Sequence, residues 1–349
     1  MRTTHPGPMH AAGAGDGPMT VRSLQEGQAT LELVPETVVA QLVDRALAYD
    51  AVRRAFVSVW RGESTLCPVL AGRGAAEDTK VNIKFGYDKA SGALGLKVGT
   101  YWPTNQALGL PNHGATTLLL SPDTGFPAAL VAASLLNRYR TAAANDVATD
   151  VLSRRDARRL AVIGTGRQAE YEVRAIAAVR RLSEVVIGAR TQAHGEALRE
   201  RLGDLGLPIH VRPVEEAVPS ADIITTITTA RAPLFDARLV RPGTHVSAMG
   251  ADAVGKQELD PGLLRIADIF ADAPLQSVVI GEGQHLGGAD PAEHITAVGA
   301  VLADDRPGRR SEEAITVFDS SGLAAQDIEV ASAVLARARE RGLIQVVGF

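Results

Sequence analysis

The stretch AVIGTGRQAEYEV, residues 161–173, constrains the fold more than any other part of the chain. Apolar residues run straight into Gly164 and Gly166, and an amphipathic run follows, which predicts a strand, a tight glycine turn and a helix. Ala169 fills the third position of a G-x-G-x-x-G/A pattern, where a small residue lets helix and strand pack closely. From Arg159 onward this rhythm repeats. RLAVIG, EVVIGA, IHVRPV, DIITTIT, THVSAMG, DIFAD and AITVFDSS are strand-like, while RQAEYEVRAIAAVRRL and TQAHGEALRERLGDL are helical. Strands alternating with helices predict an α/β fold around a parallel sheet with right-handed crossovers.

In that context the glycine turn is expected to hold a dinucleotide rather than merely to reverse the chain. Gly164 makes the turn, Gly166 lets a pyrophosphate approach the backbone, and the free N–H groups of the helix start receive it. The expected cofactor contacts are Gly164, Thr165, Gly166, Arg167, Gln168 and Ala169. The second strand ends in IGART with no acid to hold ribose hydroxyls, and Arg190, followed by Thr191, can meet a 2′-phosphate. This favours NADP; NAD held by other contacts is the alternative.

The preceding segment has a different texture. Residues 34–61 carry a helical pattern, with Val38, Leu42, Ala46 and Leu47 on one face and Pro35 at its start. KVNIKFGYD and GALGLKVGTYW read as a hairpin around KASG, and ATTLLLSPDTGFPAALV as two strands around PDTG. A helix is expected from about Ala133 to Leu152, and a last one over LAAQDIEVASAVLARARERG. If residues 89–92 form the hairpin loop, Asp88 pairs with Ala93 and Lys84 lies opposite Lys97. Like charges directly opposite repel, which makes sense if both ammonium groups face an anion. Their repulsion would also lower one pKa toward a range useful for proton transfer. A loop of another length, with both lysines solvated, is the alternative.

Other function classes find little support. With 36 basic against 40 acidic residues the net charge is −4, so no broad basic field invites nucleic acid. The basic run RRDARR (154–159) is short and leads into a strand. No run of eighteen apolar residues predicts a membrane span. The single cysteine, Cys67, allows no internal disulfide or cysteine metal cluster and reads as a small apolar filler. Histidines 5, 10, 194, 210, 245, 285 and 294 lack metal-ligand spacing, so no metal is expected. Neither a glycosidase carboxylate pair nor a G-x-S-x-G elbow stands out. Residues 1–28, rich in Gly, Pro and Ala, read as a disordered tail without a secretory signal, and Met19 could be the natural start. A reducing, cytoplasmic setting is expected.

Five stretches, in order between residues 94 and 331, carry a resemblance that extends over about residues 34–345: LGLKVGTYWPTNQALGLPNHGATTLLL, NRYRTAAANDVATDVLS, AVIGTGRQA, SAMGADAVGKQELD and TVFDSSGLAAQDIEVA. Together they resemble the ornithine cyclodeaminase/mu-crystallin family. The resemblance implies a Rossmann-type NAD(P)-binding domain inserted into an α+β domain that binds substrate and forms a homodimer. It divides the chain into 29–145 with 318–349 for the substrate and dimerisation domain, and 146–317 for the nucleotide domain.

The resemblance also implies roles. Lys97 matches the lysine beside the substrate carboxylate and reacting carbon. Arg140 matches the arginine that clamps the α-carboxylate, for which a planar fork is suited. Asp252 matches the acid/base facing the substrate nitrogen. Thr141 and Ser320 fall beside the nicotinamide, and Thr226 and Met249 on the cofactor side. Many members carry an arginine after the proline of the first substrate-domain strand, whereas here CPVLAG places Val69 and Leu70. Lys84 can replace that charge, and Asn112 and His113 can line the pocket mouth; His113 can equally be a turn histidine. VNIKFG and GLPNHGATTLL are similar to what is expected of iminosuccinate reductases in this family. The expected activity is NAD(P)H-dependent reduction of a small anionic imino acid, best iminosuccinate to aspartate. A cyclodeaminase that releases ammonia and a non-catalytic NADPH-dependent binding protein are the alternatives.

Overall fold

The computed structural model describes residues 30–348; the tail expected over residues 1–28 and the start at Met19 lie outside them. The strands are β1 (Thr30–Val34), β2 (Ser64–Leu66), β3 (Leu70–Gly72), β4 (Lys80–Asp88), β5 (Leu94–Tyr101), β6 (His113–Leu120), β7 (Pro127–Ala132), β8 (Arg159–Ile163), β9 (Glu184–Gly188), β10 (Ile209–Arg212), β11 (Ile223–Thr226), β12 (His245–Ala248), β13 (Asp268–Ala271), β14 (Ile295–Ala297), β15 (Thr316–Asp319) and β16 (Gln345–Gly348). The helices are α1 (Glu36–Leu42), α2 (Arg45–Trp60), α3 (Ser134–Leu152), α4 (Arg167–Val179), α5 (Gln192–Arg201), α6 (Val214–Ala217), α7 (Pro261–Ile266), α8 (Pro274–Ile280), α9 (Val298–Leu302) and α10 (Ala324–Glu340).

Two sheets organise the chain. The first runs β16-β1-β7-β6-β5-β4-β2, with β3 also on β4. All its pairs are antiparallel except β1 with β7. The second runs β10-β9-β8-β11-β12-β15-β13-β14 and is parallel throughout. Its chain leaves β8 toward β9 and β10, then returns to β11 on the other side. The resulting crevice between the carboxyl ends of β8 and β11 is where such sheets bind ligands.

An apolar cluster joins α2, α3 and α10 to Met249, Phe270 and Phe318 of the second sheet, and Phe56 meets Phe318 edge to face at 6.1 Å. The sheets therefore share one core. On the first sheet, α10 covers one face: Gly86 of β4 packs against Ala324, and an added Cβ would come within 3.0 Å of that side chain. The opposite face carries a ladder, Phe85–Leu96–Leu118–Leu130, in register across β4, β5, β6 and β7. Each of its members stays half-buried or exposed.

The KASG hairpin forms as expected: the Asp88 N–H donates to the Ala93 carbonyl at 2.8 Å and Lys84 pairs with Lys97. Residues 34–61 differ from the single helical pattern. Val34 ends β1, and Asp44 breaks the run because its carboxylate caps α2, accepting the Leu47 N–H at 2.8 Å. The expected domain limits fall inside elements, since α3 runs unbroken through 145/146 and β15 through 317/318. The short β14 and helices α7 to α9 lack a periodic pattern long enough to read from sequence.

Candidate active site

β5, α3 and α10 bring Lys97, Arg140 and Asp327 together in the interior. Lys97 Nζ and Arg140 Nε both lie 2.7 Å from the same oxygen, Asp327 Oδ1, and all three side chains are buried. Asn137, one turn before Arg140 on α3, closes the ring. Its Oδ1 accepts from Lys97 Nζ at 2.8 Å and from Arg140 Nη2 at 2.9 Å.

Lys84 approaches from β4 and donates to the backbone carbonyls of Ser321 (3.2 Å) and Gly322 (2.7 Å). Gly322 has φ +77°, and a Cβ there would come within 2.8 Å of Arg140 Nη1 and 3.1 Å of Lys84 Nζ. Its bare backbone thus lets the two cations converge.

Burial pushes the Lys97 ammonium down to about 7, and the Arg140 charge adds to it. Lys84 is lowered for the same two reasons, in the same order. The sequence expectation had the right direction but the wrong main cause: removal from water, then the guanidinium, outweighs repulsion between the lysines. Asp327 is held below the ordinary carboxylate range. Burial alone would raise it, and the charges of Arg140, Lys97 and Lys84 override that. Asp327 and Asn137 were not singled out in the sequence. The signal was present, because α10 is buried on nearly every side yet keeps Gln326, Asp327 and Glu329; a buried charge needs a partner.

Asp252 lies outside this ring, on the loop after β12. Its side chain is 54% exposed and pairs with Lys256, Nζ to Oδ1 2.5 Å. Its charge still reaches Lys84, where it favours the ammonium form. At the edge of β6 the His113 ring sits 4.7 Å from Tyr101, and burial pulls its pKa down. Asn112 uses its carbonyl to accept the Trp102 N–H at 2.8 Å, while its buried Oδ1 has no partner.

The glycine turn stands at the switch-point crevice. Gly164 has φ +125°, and a Cβ would fall 2.4 Å from the Ile227 carbonyl oxygen, so only glycine fits. Gly166 caps α4, whose start has no side-chain cap, and a Cβ there would meet nothing within 4 Å. Clear space above a glycine and uncapped N–H groups fit a pyrophosphate. Thr165 is half-buried, Arg167 exposed and Ala169 buried against the sheet. Arg190 and Thr191 are exposed beyond the end of β9. Thr141 is half-buried on α3, directly after Arg140, and Ser320 and Met249 are buried at strand ends.

Two expected cofactor side chains are engaged elsewhere. The Thr226 hydroxyl donates to buried Glu258 at 2.7 Å, and Gln168 donates to the Arg138 carbonyl (3.0 Å) and Glu172 (2.8 Å). Both residues secure the walls of the crevice, and their side chains do not face it as free donors. Glu172, on α4, also accepts from Asn145 of α3 at 2.8 Å, which ties the nucleotide helix to the helix bearing Arg140.

Comparisons with known proteins identify the relatives of this chain. The ornithine cyclodeaminase/mu-crystallin family model matches residues 29–342. Iminosuccinate reductase of Paracoccus denitrificans is 38% identical over 317 residues, covering 90% of this chain and 99% of that protein. A crystal structure of the iminosuccinate reductase of that organism with NAD+ superposes with a TM-score of 0.87 at 37% identity, covering 92% of this chain and 100% of the other. An archaeal alanine dehydrogenase dimer with bound NAD gives a TM-score of 0.85 at 32% identity, over 92% and 100% of the two chains. With a Rossmann-type parallel sheet, a glycine turn at its crevice and a family match over residues 29–342, this chain belongs to the ornithine cyclodeaminase/mu-crystallin family.

Proposed function

We propose that the protein is an NAD(P)H-dependent imine reductase that converts a small α-imino acid to its L-amino acid, with iminosuccinate to aspartate as the reaction. The observation that carries this reading is the buried Lys97–Asp327–Arg140 ring beside Lys84. Three cations against one internal carboxylate leave an excess of positive charge suited to a dianion. Similarity to an iminosuccinate reductase along nearly the whole chain supports the same choice.

A dihydronicotinamide, when bound, supplies the hydride. The chain's own residues do the rest. The Nη groups of Arg140 and the remaining N–H of Lys97 hold the α-carboxylate. Lys84 serves the distal carboxylate, in place of the family arginine replaced here by Val69 and Leu70. Asp252 holds the proton at the substrate nitrogen, keeping it cationic and electrophilic. Asn112 and His113 border the entrance. Gly164, Gly166 and the start of α4 seat the pyrophosphate, and Thr141, Met249 and Ser320 lie toward the nicotinamide. Arg190 favours NADPH over NADH.

The ladder Phe85–Leu96–Leu118–Leu130 is the surface expected to bury against a second copy, because an apolar sheet face of this extent calls for a cover. Sedimentation that finds only monomer at micromolar concentration removes that part of the reading. Among the described residues no helix is long and apolar enough to cross a membrane, and we place the enzyme in the cytoplasm.

The decisive experiment mixes oxaloacetate and ammonium, which form the imine in solution, with NADPH or NADH and follows absorbance at 340 nm and aspartate formation. Loss of absorbance with matching aspartate is expected, faster with NADPH. Release of ammonia from ornithine without net cofactor consumption would establish a cyclodeaminase instead, and a clear NADH preference would remove the role of Arg190.

A further inference from the structure

Asp327 is a buried charge to which the mechanism above assigns no step. It arrives from α10, and one of its oxygens touches both substrate-facing cations while the other, Oδ2, is buried without a partner. Asn137 spans the same two cations from α3. Each acceptor thus bridges Lys97 and Arg140, and together they lock two like charges side by side. Two of the three Lys97 N–H groups are consumed in this way, while Arg140 Nε lies 2.7 Å from Asp327 Oδ1 as an ion pair without donating a hydrogen bond. One ammonium hydrogen and two of the four Nη hydrogens remain, since Nη2 donates to Asn137 and Nη1 to Gln326 at 3.5 Å.

We propose that Asp327 is a positioning residue of the reductase: it holds Lys97 and Arg140 as a preassembled carboxylate clamp and favours the ammonium form of Lys97. This rests on the proposed reading of the site as one that binds an α-imino carboxylate.

The charges facing Lys97 decide the matter. Arg140 from α3 and Lys84 from β4 oppose a third cation, and burial opposes it most. Asp327 is the one carboxylate among its principal influences, acting by charge and by hydrogen bond. Asp252 and Asp272 act on the neighbouring Lys84. With all this Lys97 stands at about 7, so it is poised. Removing the Asp327 charge leaves burial and two cations unopposed, and Lys97 then loses its proton at neutral pH. Its nitrogen lone pair would face the substrate carboxylate instead of an N–H.

The test is Asp327→Asn, which keeps shape and alters charge. The chain has five lysines, Lys80, Lys84, Lys89, Lys97 and Lys256, so side-chain 15N NMR can follow each, with Lys97 assigned from Lys97→Arg. The Lys97 midpoint is expected to fall by about one to three pH units, the usual effect of one adjacent opposite charge. The alkaline limb of kcat/KM for imine reduction should move down with it, leaving NADH affinity unchanged. An unmoved midpoint, or a loss of kcat/KM uniform across pH, overturns the proposal.

Should Asp327→Asn fail to fold, Asn137→Asp adds a second carboxylate to the same two cations and should raise the midpoint; no rise overturns the proposal equally. The titration needs no turnover. A wild-type protein that fails to reduce the imine therefore refutes the functional reading separately from the role of Asp327.

Discussion

Asp319 and Asp327 stand eight positions apart, both buried, and their carboxyls are driven in opposite directions. Asp327 sits among Arg140, Lys97 and Lys84 and is held low. Asp319, at the end of β15, accepts from Ser277 and from the Gly283 N–H but has Asp272 as a charged neighbour, and burial pushes it up to about 7. Glu282, nearby, is pushed to about 8 by burial and by Asp319 and Glu258. The cluster around Asp327 therefore holds one ionised carboxylate among three cations. Around Asp319 and Glu282 burial instead favours the protonated acids, while the glycine turn presents backbone N–H groups at an uncapped helix start. Two anions, a carboxylate and a pyrophosphate, are thus expected to be held by different physics: titrating side chains in one place, fixed peptide dipoles in the other.

The largest expected effect tests the dipole side. Gly164→Ala must fit a Cβ against the Ile227 carbonyl at a φ that other residues rarely adopt, so cofactor affinity should fall on the order of 10³ from strain plus displaced backbone. The loss should be the same from pH 6 to 8, because no titrating group is involved. A fluorescence titration with NADH measures it, and tight binding in the variant would break the contrast.

The next tests the charged side. Asp252→Asn should lower kcat on the order of 10² while cofactor affinity stays within a few-fold of wild type. Steady-state kinetics that find near-normal turnover would remove Asp252 from proton handling.

The smallest sharpens the comparison between the two aspartates. The folded pKa of Asp319 is raised above its unfolded value near 3.8. Its contribution to stability is therefore complete below about pH 4 and is lost as pH rises through about 7. Asp319→Asn should flatten that part of the stability curve. Denaturant unfolding at pH 5 and 8 should find the stability of the variant, taken relative to wild type, higher at pH 8 than at pH 5. Parallel curves would mean that Asp319 is ionised throughout, like Asp327.

Much of this was legible in the sequence because it is local. The glycine turn, the βα rhythm after Arg159 and the hairpin register that sets Lys84 against Lys97 depend on neighbours within a dozen residues. The outcome for Lys97 was only half legible. Its opposing lysine could be found by counting, but its stronger influences, burial, Arg140 and Asp327, arrive from β5's surroundings, from α3 and from α10, more than 200 residues away in the last case. The side-chain partners of Thr226 and Gln168, Glu258 and the Arg138 carbonyl, were hidden for the same reason: tertiary packing sets them. Asp44 was hidden in an apolar period, although an aspartate three residues before Leu47 is a capping signal.

The hairpin of β4 and β5 has one more consequence. Alternation along a strand is strict, so the face opposite Lys84 and Lys97 belongs to Phe85 and Leu96. Slipping this hairpin by a single residue would turn the ammonium groups outward to solvent and drive an aromatic ring into the pocket. The apolar ladder and the cation cluster are therefore carried on the two sides of one ribbon, and a change of register displaces both at once.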